Sequence, residues 1–385
     1  MRDLIRKVLR EAVGVPQGVL ESAEVLYELV LKKLKTLPSE FEPQKNFIIS
    51  TDLNIKDLNI KKIKLEFNFH KVPKVKEVEI YSMAVAQQSR FLNDVLKIET
   101  VIKPGQIQMQ INFAGPKKTK KSDIMNLMVK MKDKIVSSLA HELGHSYNDF
   151  KKQYKSSKEI VRYAGISRTN FPFEPINEFL HKLYYIHQIE NLVRPIEVAS
   201  MMKSGEIDRE GFAKFLTDNS TYKKLKEIEE FSFDKMKDEL KSDSDRIRQF
   251  LENIGLKGTK KLSADKLVDE LLRIVYVNLS NNTISSLQHV MSTNPIEQIL
   301  GFREDKSKMF MDLAQFFSRF QDNYEAFYRY EEKNFKHTAN KIKKKLLRLY
   351  DLAKVNPSSI ENWDLHHKIN TKNVQYETEI RFKRY

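Results

Sequence analysis

Cysteine is absent from the 385 residues. That excludes disulfide bridges and every metal site built on thiolates. No internal repeat or low-complexity tract is found, and no apolar run approaches the ~20 residues needed to cross a bilayer. The N-terminal stretch Met1-Arg2-Asp3-Leu4-Ile5-Arg6-Lys7 reads as the start of an amphipathic helix and lacks the apolar core of a signal peptide. These absences predict a soluble protein made in a cytoplasm, with no membrane span. A chain of this length can bury a large core as one large domain or two closely packed ones.

Negative charge is in short supply. Lys and Arg number 67 against 52 Asp and Glu, a formal net charge of +15. Such a protein associates weakly and without sequence preference with polyanions at low salt. The denser runs, Lys117-Lys118-Thr119-Lys120-Lys121 and Lys341 to Lys345, carry no interleaved aromatics and read as solvated faces.

What is present begins with periodicity. Residues 1–44 read as one or two helices and a linker. The helix stripe is Val19, Ala23, Leu26, Val30, Leu31 and Leu34, and Pro38 to Pro43 forms the linker. Ile63, Leu65, Phe67 and Phe69 alternate with Lys64, Glu66 and Asn68, the pattern of a half-buried strand. Val78–Tyr81, Leu96–Glu99 and Ile107–Ile111 repeat it, Phe47–Ile49 does so more weakly, and Gly115-Pro116 closes the sheet. From Ser122 to Phe150 one long helix is expected, with Ser122 as its cap and Ile124, Leu127, Met128, Met131, Ile135 and Leu139 as its buried stripe. Pro175 opens a further helix, and Arg194-Pro195 is expected to end it and start the next. The chain beyond is helical over 205–256, 263–291 and 304–352, with a terminal strand through Val374, Tyr376, Thr378, Ile380 and Phe382.

Within the long helix stands His141-Glu142-Leu143-Gly144-His145, an H-E-x-x-H motif. Two histidines at i and i+4 share one helix face, so both imidazoles can reach one Zn²⁺. The intervening glutamate is placed to accept a proton from water at the metal. Ser137 and Ser138, one turn earlier, leave room for a cleft.

A twisted, mainly antiparallel sheet running directly into an H-E-x-x-H helix resembles the zincin clan of zinc metallopeptidases over roughly residues 45–205. The resemblance implies an α+β catalytic domain of that extent, followed by a mainly helical domain over 206–385. It further implies a zinc-dependent endopeptidase with His141 and His145 as ligands and Glu142 as general base. The metzincin pattern fails, because Ser146-Tyr147-Asn148-Asp149-Phe150 supplies no third histidine. A gluzincin-like carboxylate is the alternative. Glu197 is favoured, since Pro195-Ile196-Glu197-Val198-Ala199-Ser200 is similar to the ligand segment of several bacterial and phage families. Its small residues suit close helix packing. Glu178, in an Asn177-Glu178 pair, and Glu190, one heptad before Glu197, are the other candidates. Tyr184, Tyr185, His181, His187 and Arg194 are candidates for the oxyanion donor, and Gln106, Gln108, Gln110 and Asn112 could line an edge strand that receives a peptide.

The Lys- and Asn-rich, cysteine-free composition resembles phage proteins. It adds phage structural proteins to the expected partners and the virion to the expected locations. A catalytically silent zincin-like scaffold, binding a partner through its helical half, is the competing reading.

Overall fold

The computed structural model describes residues 17–41, 46–55, 60–72, 76–87, 106–116, 119–150, 162, 165–293 and 306–352. The expected strands at Leu96–Glu99 and Val374–Phe382, and the helix before residue 17, lie outside them. The described chain is α+β and mostly helical, with a small mixed sheet.

Alternation produces the sheet. Strands β2 (Asn46–Ile55), β3 (Ile60–Lys71), β4 (Glu79–Gln87) and β5 (Gln106–Gly115) lie in the order β2-β3-β5-β4. Its two central strands run parallel, pairing Ile63 with Ile107 and Phe69 with Phe113, while β2 and β4 flank them antiparallel. One face buries Ile63, Leu65, Phe67, Met109, Ile111 and Phe113. On the other face the alternate residues pair across strands: Asn68 donates to Asn112 at 2.8 Å, and Gln108 to Glu66 at 3.2 Å. The polar row on β5 is thus a cross-strand ladder in the middle of the sheet. Both sides of its backbone are committed, so β5 is not an edge to which a peptide strand can be added.

Helix α1 (Gln17–Lys35) buries Val19, Ala23, Leu26, Val30 and Leu34, while Leu31 is partly buried. A two-residue ribbon pairs β1 (Glu40–Phe41) with β6 (Thr119–Lys120), and Lys121 Nζ donates to the carbonyls of Lys35 and Leu37 at 3.1 and 2.7 Å. A lysine thereby satisfies orphan carbonyls at the end of α1.

The expected single helix from Ser122 is two: α2 (Lys121–Lys130) and α3 (Lys132–Phe150). They bend at Met131, whose φ and ψ are −100° and 13°. Met131 still donates to Leu127 and accepts from Ile135, so the hydrogen-bond ladder passes through the bend. The two segments keep Ile124 and Met128, then Ile135 and Leu139, in the core. Ser122 is not the cap; Lys120 holds that position and its N–H donates to Asp123 at 3.2 Å.

Pro175 lies in the first turn of α4 (Glu174–Tyr185), as expected. The interruption after it falls at Ile186–His187, and α5 (Gln188–Ser204) then continues through Pro195. Proline costs that helix one backbone hydrogen bond. Burial of Val193, Ile196, Val198 and Ala199 on the same helix offsets the loss.

Beyond α5 come α6 (Phe212–Asp218), α7 (Ser220–Glu229), α8 (Phe233–Ser242), α9 (Ser244–Asn253), α10 (Ala264–Thr293), α11 (Lys306–Ser318) and α12 (Tyr324–Leu347). Phe179 of α4 meets Phe231, Phe327, Tyr328 and Phe335, with ring centroids 5.0 to 6.4 Å apart. One buried apolar cluster runs from Val19 to Leu349, so packing is continuous across residue 205.

Candidate metal centre

Two helices in close contact build the site. Gly144 lies where α3 meets α5: a Cβ there would stand 2.9 Å from Ile196 Cδ1 and 3.1 Å from Val193 Cγ1. Ser137 is buried on the same contact, its hydroxyl donating to the Glu197 carbonyl at 3.4 Å, so it closes the helix interface and does not open a cleft. Gly144→Val should force the helices apart and destabilise the protein by about 1–3 kcal/mol, read by urea unfolding. Wild-type stability would mean the two helices do not meet at that glycine.

From α3, His141 and His145 present their Nε2 atoms 3.2 Å apart, with the rings edge to face. From α5, Glu190, Arg194 and Glu197 share one face at i, i+4 and i+7. Glu190 Oε2 lies 3.4 Å from His141 Nε2, and its Oε1 lies 3.7 Å from His145 Nε2. A tetrahedral ion with ligands at about 2.1 Å has ligand atoms about 3.4 Å apart. The three side chains match that spacing, and nitrogen with carboxylate oxygen is a donor set that suits zinc. Among the described residues, His141, His145 and Glu190 form the only trio of candidate metal-binding side chains.

Glu197, expected as the third ligand, stands behind His141. Its Oε2 is 3.3 Å from Nδ1, the nitrogen turned away from His145 and Glu190. A carboxylate only accepts, so Nδ1 carries the proton and donates. In metal sites a contact of this kind orients a ligating imidazole and raises its basicity. Which carboxylate faces the two Nε2 atoms follows from the helix boundary. Because α5 starts at Gln188 and not at Pro195, Glu190 lies on its first turns, two turns before Glu197 on the same face.

Arg194 joins the two carboxylates, donating to Glu190 Oε2 at 2.7 Å and to Glu197 Oε2 at 2.9 Å. Its guanidinium lies 4.1 Å from the centre of the Tyr185 ring. One N–H from each terminal nitrogen is thus engaged, and Arg194 positions both carboxylates. Thr221 completes the set by donating to Glu197 Oε1 at 3.2 Å. No metal-site signal in the sequence marks Thr221; only Asn219, whose side chain caps α7, fixes it there.

Burial governs the electrostatics. It disfavours charge on His141, yet the hydrogen bonds to Glu190 and Glu197 prevail and raise that histidine to about 9. His145 is lowered to about 3 by burial and then by the charge of His141. Glu142 is raised to about 7, chiefly by burial, with His141 opposing. Burial would also raise Glu190 and Glu197, but His141 and Arg194 outweigh it, holding Glu190 well below the usual carboxylate range and Glu197 at about 2.

The other candidates lie elsewhere. Glu178 is exposed and bound to Lys182 at 2.9 Å, and Asn177 is engaged with the backbone of Phe171. His181 is exposed, its ring 6.5 Å from that of Tyr184. His187 is buried at the junction of α4 and α5. Comparison with protein-family models, curated proteins and solved structures returns no match.

Proposed function

We propose that this protein is a zinc-dependent endopeptidase, with His141, His145 and Glu190 as the residues that hold the ion. The observation that carries the reading is the convergence of three side chains on two helices packed at Gly144, with the two Nε2 atoms 3.2 Å apart and the two Glu190 oxygens 3.4 and 3.7 Å from them. Zinc would supply Lewis acidity, polarising a scissile carbonyl and acidifying water. Glu142, next to His141 on α3, would accept a proton from that water and return it to the leaving amine. Glu197 holds the Nδ1 proton of His141 so that Nε2 faces inward, and Arg194 and Thr221 hold Glu197.

A specific contact favours a second reading. Arg194 already places a cation on Glu190 Oε2, as it would in a silent scaffold whose buried charges balance one another. Metal content separates the two. The purified wild type should carry one zinc per chain and cleave an unfolded protein substrate, and His141→Ala should lose both properties. A wild type that takes up no zinc would leave the scaffold as the reading.

A further inference from the structure

The net positive charge of the chain is not spread evenly over its paired and unpaired residues, and α12 shows the contrast. Its first two turns neutralise their charges: Arg329 pairs with Asp234, at 2.5 Å, and Lys237 reaches Glu325 at 3.9 Å. Farther along, Lys336 pairs with Glu332 at 3.3 Å, and Lys343 with Glu229 on α7. The outward row Lys333, Lys341, Lys344 and Arg348 is exposed. Among the described residues, none of these four cations has a carboxylate within ion-pairing distance. Lys345, beside them, is held below its ordinary value by burial and then by the charges of Lys341 and Arg348.

Helical rise sets the geometry. From Lys333 to Arg348 the row spans about 22 Å, with neighbours one or two turns apart. That is a linear array of point charges suited to an evenly charged strand. The opposite face of α12 is spent on the core, with Phe335, Ala339, Ile342 and Leu346 buried. An amphipathic helix that inserts into a lipid surface uses a continuous apolar face, and on α12 only Tyr330 and Leu347 are exposed large apolar side chains. Ammonium groups without interleaved aromatics neutralise phosphates and do not read bases.

We infer that the outward face of α12 from Lys333 to Arg348 is a sequence-independent docking surface for the phosphate backbone of a nucleic acid. This surface stands independently of the metallopeptidase reading.

The test uses the full-length protein and a fluorescent DNA duplex of about 20 base pairs, titrated between about 50 and 200 mM salt. Four contacts predict a slope of log K against log salt near −3.6. The triple variant Lys341→Glu, Lys344→Glu and Arg348→Glu should weaken binding by about tenfold or more, and Lys341→Gln, Lys344→Gln and Arg348→Gln should flatten the slope by about 2.7. Lys257→Glu, Lys260→Glu and Lys261→Glu make the same change in net charge at other exposed positions and should leave the slope unchanged. Circular dichroism checks that each variant is folded, and the glutamine set serves if charge reversal disturbs the helix. Equal losses in the two reversal sets would show that net charge alone binds DNA and would overturn the inference. So would binding to phosphatidylserine vesicles without binding to the duplex.

Discussion

Replacing Glu142 by glutamine is expected to leave zinc bound while cutting peptide hydrolysis by about 10²–10⁴. The amide keeps the shape of the side chain and removes the basic oxygen. Burial raises the native carboxyl above its ordinary value, and a zinc ion beside it would favour the ionised form that accepts a proton. Glutamine has no such state. Turnover and metal content should be measured on the same preparation. Undiminished hydrolysis by the zinc-loaded variant would remove Glu142 from the mechanism, and lost zinc would show that the residue maintains the site.

A second large effect should separate two carboxylates that lie on one helix. Glu190→Ala removes an oxygen donor facing both Nε2 atoms and should lower zinc affinity by more than the ~10–100-fold typical of losing an outer-shell partner. Glu197→Ala takes away only the acceptor behind His141, so its loss should fall within that ~10–100-fold range. Competition against a chromophoric chelator gives both affinities. If Glu197→Ala proves the more damaging, Glu197 is the ligand and Glu190 the supporting group.

The placement of Glu190 and Glu197 shows what could be read from the sequence. The i and i+4 spacing of His141 and His145 is a local property of any helix, and it put both imidazoles on one face. Strand β3 was legible for a similar reason: alternation at Ile63, Leu65, Phe67 and Phe69 says which face is buried. Glu190 was harder because its position depends on whether α5 survives Pro195. Proline and the residue before it locally disfavour a helix. Here the contact of Val193 and Ile196 with Gly144, and the bonds from Arg194 to Glu190 and Glu197, hold the helix through it. Nor did alternation reveal the neighbours of β5. Its polar row suits a solvated edge and an Asn–Asn or Gln–Glu ladder equally well, and only the partner strands distinguish them.

The order β2-β3-β5-β4 also dictates when the sheet can be assembled during synthesis. Two pairs, β2 with β3 and β4 with β5, are neighbours both in sequence and in space, whereas the central parallel pair β3 and β5 is not. Among the described strands, β4 emerges before β5 and pairs with it alone, and the inner side of β3 finds its partner only once residue 106 has been made. A nascent chain halted at β4 therefore displays two sets of unpaired strand groups, and unpaired edges are prone to pair with other molecules. Helix α3 begins 17 residues after Gly115, so the strand that closes the sheet is followed closely by the stretch that bears His141 and His145.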